Sequence, residues 1–169
     1  MHTFDSVRRL VRAGEWKDPM GAFLLFVRTP RTSASMRKFR TDTDDGDLPS
    51  VPPLSAVLAA PETQAAPHVK RDTSPYEAFV FIGRAVTADI QLDDESISKS
   101  HAAFQRRGED WFVKDVRSRN GTYVDGRRLN PGEEARVHSG TQVTFGLLAA
   151  YFVELQYLRR LSLEPSAEK

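Results

Sequence analysis

The 169-residue chain contains no cysteine. Disulfides and thiolate chemistry are therefore excluded, which fits a reducing compartment. No apolar run is long enough for a signal peptide or a membrane span, so a soluble, cytoplasmic protein is the expectation. Charge bias is also missing: 24 Lys and Arg stand against 23 Asp and Glu, for a net charge of +1. Split at residue 72, the first part carries 11 basic and 9 acidic residues and the remainder 13 and 14. Neither part is a basic arm, and the charge gives no reason to expect nucleic acid or a membrane as partner. His2, His68, His101 and His138 have no metal-ligand spacing, so no metal is expected, and no motif calls for a cofactor. The acidic run Asp93-Asp94-Glu95 lacks the alternating oxygen ligands and glycine turn of a calcium loop, and it reads as a solvated loop.

What is present falls into three stretches. Phe4, Val7, Leu10 and Val11 recur at helical spacing and Gly14 follows as a stop, which predicts a short amphipathic helix over residues 4–13 in an N-terminal extension of residues 1–21. The run Phe23-Leu24-Leu25-Phe26-Val27 is short and uniformly apolar, as a buried strand would be, and Pro30 ends it. Residues 31–75 are dominated by Pro, Ser, Thr, Asp and Ala, and read as a mostly flexible linker or insertion with a helical turn or more over residues 53–60.

From Tyr76 onward the pattern becomes short β runs separated by turn residues. Trp111, Val113 and Asp115 alternate with Phe112 and Lys114. Asp125-Gly126, between Tyr123-Val124 and Arg127-Arg128, is a two-residue hairpin signal, because both turn positions need positive φ. Many short strands at this spacing predict an all-β sandwich over residues 76–158, with Trp111 in its core and residues 159–169 as a tail.

Three turns carry chemistry: Gly83-Arg84, Ile97-Ser98-Lys99-Ser100-His101, and Ser118-Arg119-Asn120-Gly121-Thr122. A sandwich gathers such loops at one end. Arg offers a planar fork for two oxygens and Ser a short hydroxyl contact. Lys adds a flexible charge, and Asn can both donate to and accept from a peptide main chain. The set suits capture of a phosphate, with its three acceptor oxygens, better than catalysis. Ser98 and His101 lack a third catalytic partner, so His101 reads as structural and no enzyme is expected.

In their order and spacing, GR, ISKSH, SRNGT, DG and GTQVTFG resemble the forkhead-associated (FHA) domain over about residues 76–155. The arrangement is similar to bacterial single-domain members with an N-terminal extension. The resemblance implies a sandwich of about eleven strands that recognises phosphothreonine through loops at one end. It assigns phosphate binding to Arg84 and Ser98, with Lys99 at an adjacent contact position. Arg119 stands where many relatives have a phosphate-binding Thr. Asn120 matches the residue that holds the peptide main chain, while Gly83, His101, Gly121 and Thr122 shape the loops. The implied partner is a phosphothreonine-containing protein or peptide, a Ser/Thr kinase or its substrate. The competing function is a structural or assembly role in which the sandwich binds an unphosphorylated partner or dimerises.

Two further expectations follow. FHA sandwiches open with an apolar strand before the one ending in Gly-Arg, which predicts that residues 22–29 form that strand beside residues 150–155. Thr41, with Asp44 three residues on, is a candidate phosphosite through which the module would bind its own chain or a second copy, although a merely polar segment explains the composition as well.

Overall fold

The computed structural model describes residues 2–15, 21–26, 48, 50–60, 62–68 and 79–163. Its strands are β1 (His2–Thr3), β2 (Ala22–Phe26), β3 (Gln64–Pro67), β4 (Phe79–Gly83), β5 (Ile90–Gln91), β6 (Ala102–Arg107), β7 (Asp110–Asp115), β8 (Thr122–Val124), β9 (Arg127–Arg128), β10 (Glu134–Val137), β11 (Gln142–Phe145) and β12 (Leu148–Glu154). The helices are α1 (Phe4–Arg12), α2 (Leu54–Ala59) and α3 (Leu155–Leu163).

The strands form a seven-stranded sheet, ordered β1-β3-β2-β12-β11-β8-β9, and a five-stranded sheet, ordered β10-β7-β6-β4-β5. Alternation dictates how they face each other. In β7, Trp111, Val113 and Asp115 are buried while Asp110, Phe112 and Lys114 are half-buried on the outer side. Strand side chains point alternately to the two faces, so the buried set must face the second sheet. Phe104, Phe145 and Phe152 fill the space between the sheets, with Leu24, Ile82 and Trp111 around them. The Phe104 and Phe152 rings stack with centroids 5.7 Å apart. The hairpin at residues 125–126 turns with φ of 47° at Asp125 and 82° at Gly126, and joins Val124 directly to Arg127 in register, as a two-residue turn with both φ positive requires.

β2 pairs antiparallel with β12, Ala22 opposite Glu154 and Phe26 opposite Ala150. Its run is uniformly apolar because both faces of this sheet are covered. Leu24 and Phe26 point into the sandwich. Leu25 points outward into a second cluster with Phe4, Val7 and Val11 of α1, Val57 of α2 and Leu158 of α3. α1 buries those apolar residues at helical spacing, begins after Thr3, and carries Asp5 in its first turn and Arg9 and Arg12 in its last, the order that complements the helix dipole.

Two expectations need correction. Residues 31–75 hold more than the expected helical turn, which α2 supplies: β3 also lies within them, between β1 and β2 in the large sheet. The sequence QAAP has little β propensity, but burial of Ala65 and Ala66 against both clusters overrides it. Thr63 donates its hydroxyl to Val57 O at 2.6 Å, and Tyr151 donates to Pro52 O at 2.8 Å, which ties this segment onto the sheet. Residues 155–163 form a helix rather than the end of a strand followed by a tail. The twelve strands among the described residues agree with the expected sandwich of about eleven, with β1 and β3 extending one sheet edge.

His68, just beyond β3, is fully buried, with its ring edge-on to Phe104 at 4.6 Å and to Trp111 at 5.2 Å. Neither ring nitrogen has a hydrogen-bond partner. Burial drives its pKa from 6.5 down to about 3, offset in part by the nearby Ala22 carbonyl, which accepts from His68 N at 2.9 Å and not from the ring. No helix among the described residues is long and apolar enough to cross a membrane.

Candidate functional site

β4, β7 and β11 end, and β6, β8 and β12 begin, at one end of the sandwich. The connections after β4, β5, β7 and β11 therefore meet there. Each is held by its neighbour's backbone. Arg84 N donates to Ser98 O at 3.0 Å, Ala85 N to Lys99 O at 3.1 Å, and His101 N to Ile82 O at 2.9 Å. This lays residues 97–101 directly across the end of β4. A Cβ added to Gly83 would stand 2.1 Å from Lys99 O, so only glycine fits at this crossing.

His101 joins two of the loops. Its Nδ1 accepts from Ser98 N at 3.0 Å, and its Nε2 lies 3.1 Å from Gly121 O. An Nδ1 that accepts must be unprotonated, so Nε2 carries the hydrogen and donates to that carbonyl. Burial lowers the pKa of His101, opposed by the Gly121 carbonyl and the charge of Asp115, and keeps the ring neutral as this bridge requires.

The 116–121 loop is wound around a residue that motif matching passed over. Asp115 is buried. Its Oδ1 accepts from Arg117 N at 2.9 Å and Ser118 N at 3.1 Å, and its Oδ2 accepts from Ser118 Oγ at 2.6 Å and Thr122 Oγ1 at 2.7 Å. Ser118 Oγ in turn accepts from Gly121 N at 3.0 Å. Thr122 is thus a buried strut of the loop. Gly121 has φ of 84°, and a Cβ there would stand 2.7 Å from Arg128 Nε. The signal for Asp115 was its phase: an acid on the same strand face as Trp111 and Val113 is buried and must find donors.

Asp94 behaves similarly, and the reading of residues 93–95 as a wholly solvated loop is corrected for it. It is buried, and its Oδ1 accepts from Ser96 N at 2.9 Å and Ser96 Oγ at 2.7 Å. Ser96 Oγ also accepts from Leu147 N at 3.1 Å, which fastens the β5–β6 loop to the β11–β12 turn.

On this frame the candidate ligand-binding residues come together. Ser98 Oγ accepts from Arg119 N at 3.0 Å, which leaves the hydroxyl hydrogen for an outside acceptor. Asn120 Nδ2 donates to Ser96 O at 2.7 Å, so its amide plane is fixed while Oδ1 has no partner among the described residues. Arg84 is exposed and spends one long contact, Nε to Ile97 O at 3.4 Å. Lys99 and Arg119 are exposed, and their side chains make no hydrogen bond among the described residues. Thr41 lies outside the described residues, and so do residues 27–29 of the proposed first strand. No group of His, Asp or Glu side chains that could hold a metal ion occurs among the described residues.

The fold and this loop cluster define a β-sandwich whose one end presents exposed cations and hydrogen-bond donors on a hydrogen-bonded base. The family model of the FHA domain matches residues 80–146. Over 70 residues the chain is 40% identical to FHA domain-containing protein FhaB of Mycobacterium tuberculosis, covering 41% of this chain and 44% of that one. Over 105 residues it is 32% identical to the oxoglutarate dehydrogenase inhibitor of Corynebacterium jeikeium, covering 59% of this chain and 71% of that one. Among solved structures, the FHA domain of CT664 protein from Chlamydia trachomatis matches with a TM-score of 0.47 at 20% identity, covering 79% of this chain and 97% of that chain. The chain belongs to the FHA domain family. It spans less than half the length of FhaB.

Proposed function

We propose that this chain is a phosphothreonine-peptide-binding adaptor module in Ser/Thr kinase signalling and not an enzyme. The observation that carries the reading is the joining of Arg84, Ser98 and Asn120 by loop-to-loop hydrogen bonds, with the guanidinium end groups of Arg84, the hydroxyl hydrogen of Ser98 and Oδ1 of Asn120 left without partners among the described residues. Arg84 supplies a two-pronged cation for the phosphate and Ser98 a hydroxyl donor. Lys99 adds a flexible charge, Arg119 lends charge from the same loop, and Asn120 accepts from or donates to the peptide main chain. Gly83, His101, Gly121 and Thr122 hold the loops and touch no ligand. Ser98 and Asn120 are held in place before the ligand arrives, so less ordering is left there for binding to oppose.

The test is calorimetric titration of one peptide in phosphothreonine, phosphoserine and unphosphorylated forms. The wild type binds the first. It binds the second several-fold more weakly, since one methyl is worth about 1 kcal/mol, and does not bind the third. Arg84→Ala weakens phosphothreonine binding by about 30-fold or more, as removal of a charge-assisted contact does. Equal binding of the phosphorylated and unphosphorylated forms overturns the reading in favour of phosphate-independent assembly.

A further inference from the structure

The asparagines of this chain are Asn120 and Asn130. Asn130 precedes Pro131, whose nitrogen carries no hydrogen. Asn120 precedes Gly121, which has a backbone N–H and no side chain to shield it. That pair can react with itself. The Gly121 nitrogen gives up its proton and attacks Cγ of Asn120. A new N–C bond closes a succinimide ring, the Cγ–Nδ2 bond breaks, and the proton leaves with the amide as ammonia. Water then opens the ring. Cleavage between Gly121 N and Cγ leaves an aspartate side chain at this position. Cleavage between Gly121 N and the main-chain carbonyl carbon leaves an isoaspartate, with the main chain rerouted through Cγ. Nothing is oxidised or reduced.

The folded loop opposes the first step at both reacting groups. Gly121 N donates to Ser118 Oγ at 3.0 Å. Asn120 Nδ2 donates to Ser96 O at 2.7 Å on a different loop. The Gly121 carbonyl accepts from Gly146 N at 3.0 Å and from His101 Nε2 at 3.1 Å, which fixes the far side of the same residue. For the ring to close, the carboxamide must leave Ser96 and the Gly121 nitrogen must leave Ser118. Both require the loop to open. Asn120 is half-buried, so water reaches it once that happens.

We propose that Asn120 is a site of spontaneous deamidation, that the Ser118 hydrogen bond to Gly121 N holds the reaction in check, and that conversion switches the ligand seat off. The last clause rests on the phosphothreonine reading above. Either product replaces an amide with a carboxylate. It loses the donor that anchors residue 120 to Ser96 O, and it sets a negative charge among groups that would receive a phosphate of roughly −1.5 to −2.

The experiment incubates wild type, Ser118→Ala and Thr122→Val in mildly alkaline buffer, both folded and in concentrated urea. Peptide mapping by mass spectrometry reads deamidation at Asn120, and melting curves show which variants are folded. Thr122 also donates to Asp115 Oδ2 but makes no bond to Gly121 N, so its variant loosens the loop without removing the proposed guard. In urea all three chains deamidate at one rate. Folded wild type is slower by about tenfold or more, the scale of a lost hydrogen bond and a local opening. Folded Ser118→Ala loses most of that protection, and folded Thr122→Val keeps most of it. The guard is overturned if folded wild type deamidates as fast as the unfolded chain, if Ser118→Ala matches wild type, or if Thr122→Val loses protection equally. Rapid amide hydrogen exchange at Gly121 in wild type also overturns it, whether or not Ser118→Ala folds. Deamidated wild type, separated by its added negative charge, is then titrated with a phosphothreonine peptide. Its affinity falls by about tenfold or more against the intact protein, as like charges brought together require. Equal affinities overturn the switch. If the intact protein binds no phosphothreonine peptide, the phosphothreonine reading and the switch fall together, while the rates still decide the deamidation site.

Discussion

Arginines at the loop end and arginines on the outer face of the five-stranded sheet meet different fates. On the outer face, Arg107 donates to both oxygens of Glu134 at 2.7 Å and lies over Phe112, with Cζ 4.7 Å from the ring centroid. Arg136 pairs with Asp110 on that face, and near the 125–126 hairpin Arg127 reaches Glu133 at 2.7 Å. At the loop end, Arg84, Arg117, Arg119 and Arg128 have no acidic partner among the described residues. The acids that could serve them, Asp94 and Asp115, are turned inward to hold backbone. One region thus consumes its charge internally. The other spends its acids on loop shape and leaves its arginines without acidic partners among the described residues.

The largest expected effect comes from removing the acid that enforces this division. Asp115→Ala strands buried donors of Ser118 and Thr122 and releases the 116–121 loop. It is expected to lower stability by about 3 kcal/mol in denaturant unfolding and to abolish phosphopeptide binding. If binding survives, loop shape is not what this carboxylate provides. Gly83→Ala drives a methyl into Lys99 O and is expected to cost roughly 2 kcal/mol, read by thermal melting, together with binding.

A third prediction concerns acid. His68 has a folded pKa of about 3 against 6.5 unfolded. Its stabilising neutrality is fully present above the unfolded value and is lost as pH falls towards the folded one, because only the unfolded chain takes up the proton. His68→Leu, which fills the aromatic site without a titratable group, is expected to reduce the stability lost between pH 6.5 and about 4.5 by up to about 2 kcal/mol. Equal acid sensitivity in the two proteins would show that other groups set it. The smallest effect is expected on the outer face. Arg107→Ala removes an exposed pair, so melting temperature changes little and phosphopeptide affinity stays at the wild-type value.

The parts of this division that local chemistry dictates were legible in the sequence. The loop residues were singled out because three turns, in order and spacing, resemble the FHA pattern, and the fold brings those turns to one end of the sandwich. The turn at Asp125-Gly126 was legible because positive φ restricts the choice of residue. β2 was visible as an apolar run because helices cover its second face. What could not be read depends on contacts distant in the chain. β3 is a strand only because β1 and β2 flank it. α3 follows β12 without an intervening turn, so Leu155 and Leu158 read as more strand. Asp94 read as a solvated acid, and Asp115 was in phase with the buried face of its strand, but the donors of both appear only once the loops are folded around them.

The central claim is that the loop end holds the phosphate seat while the paired arginines elsewhere do not take part. It is tested most directly by titrating one phosphothreonine peptide into Arg84→Ala and Arg107→Ala in parallel, with melting curves to show that both are folded. The account predicts that affinity falls by about 30-fold or more in Arg84→Ala and is unchanged in Arg107→Ala. Equal affinities in the two folded variants would contradict it.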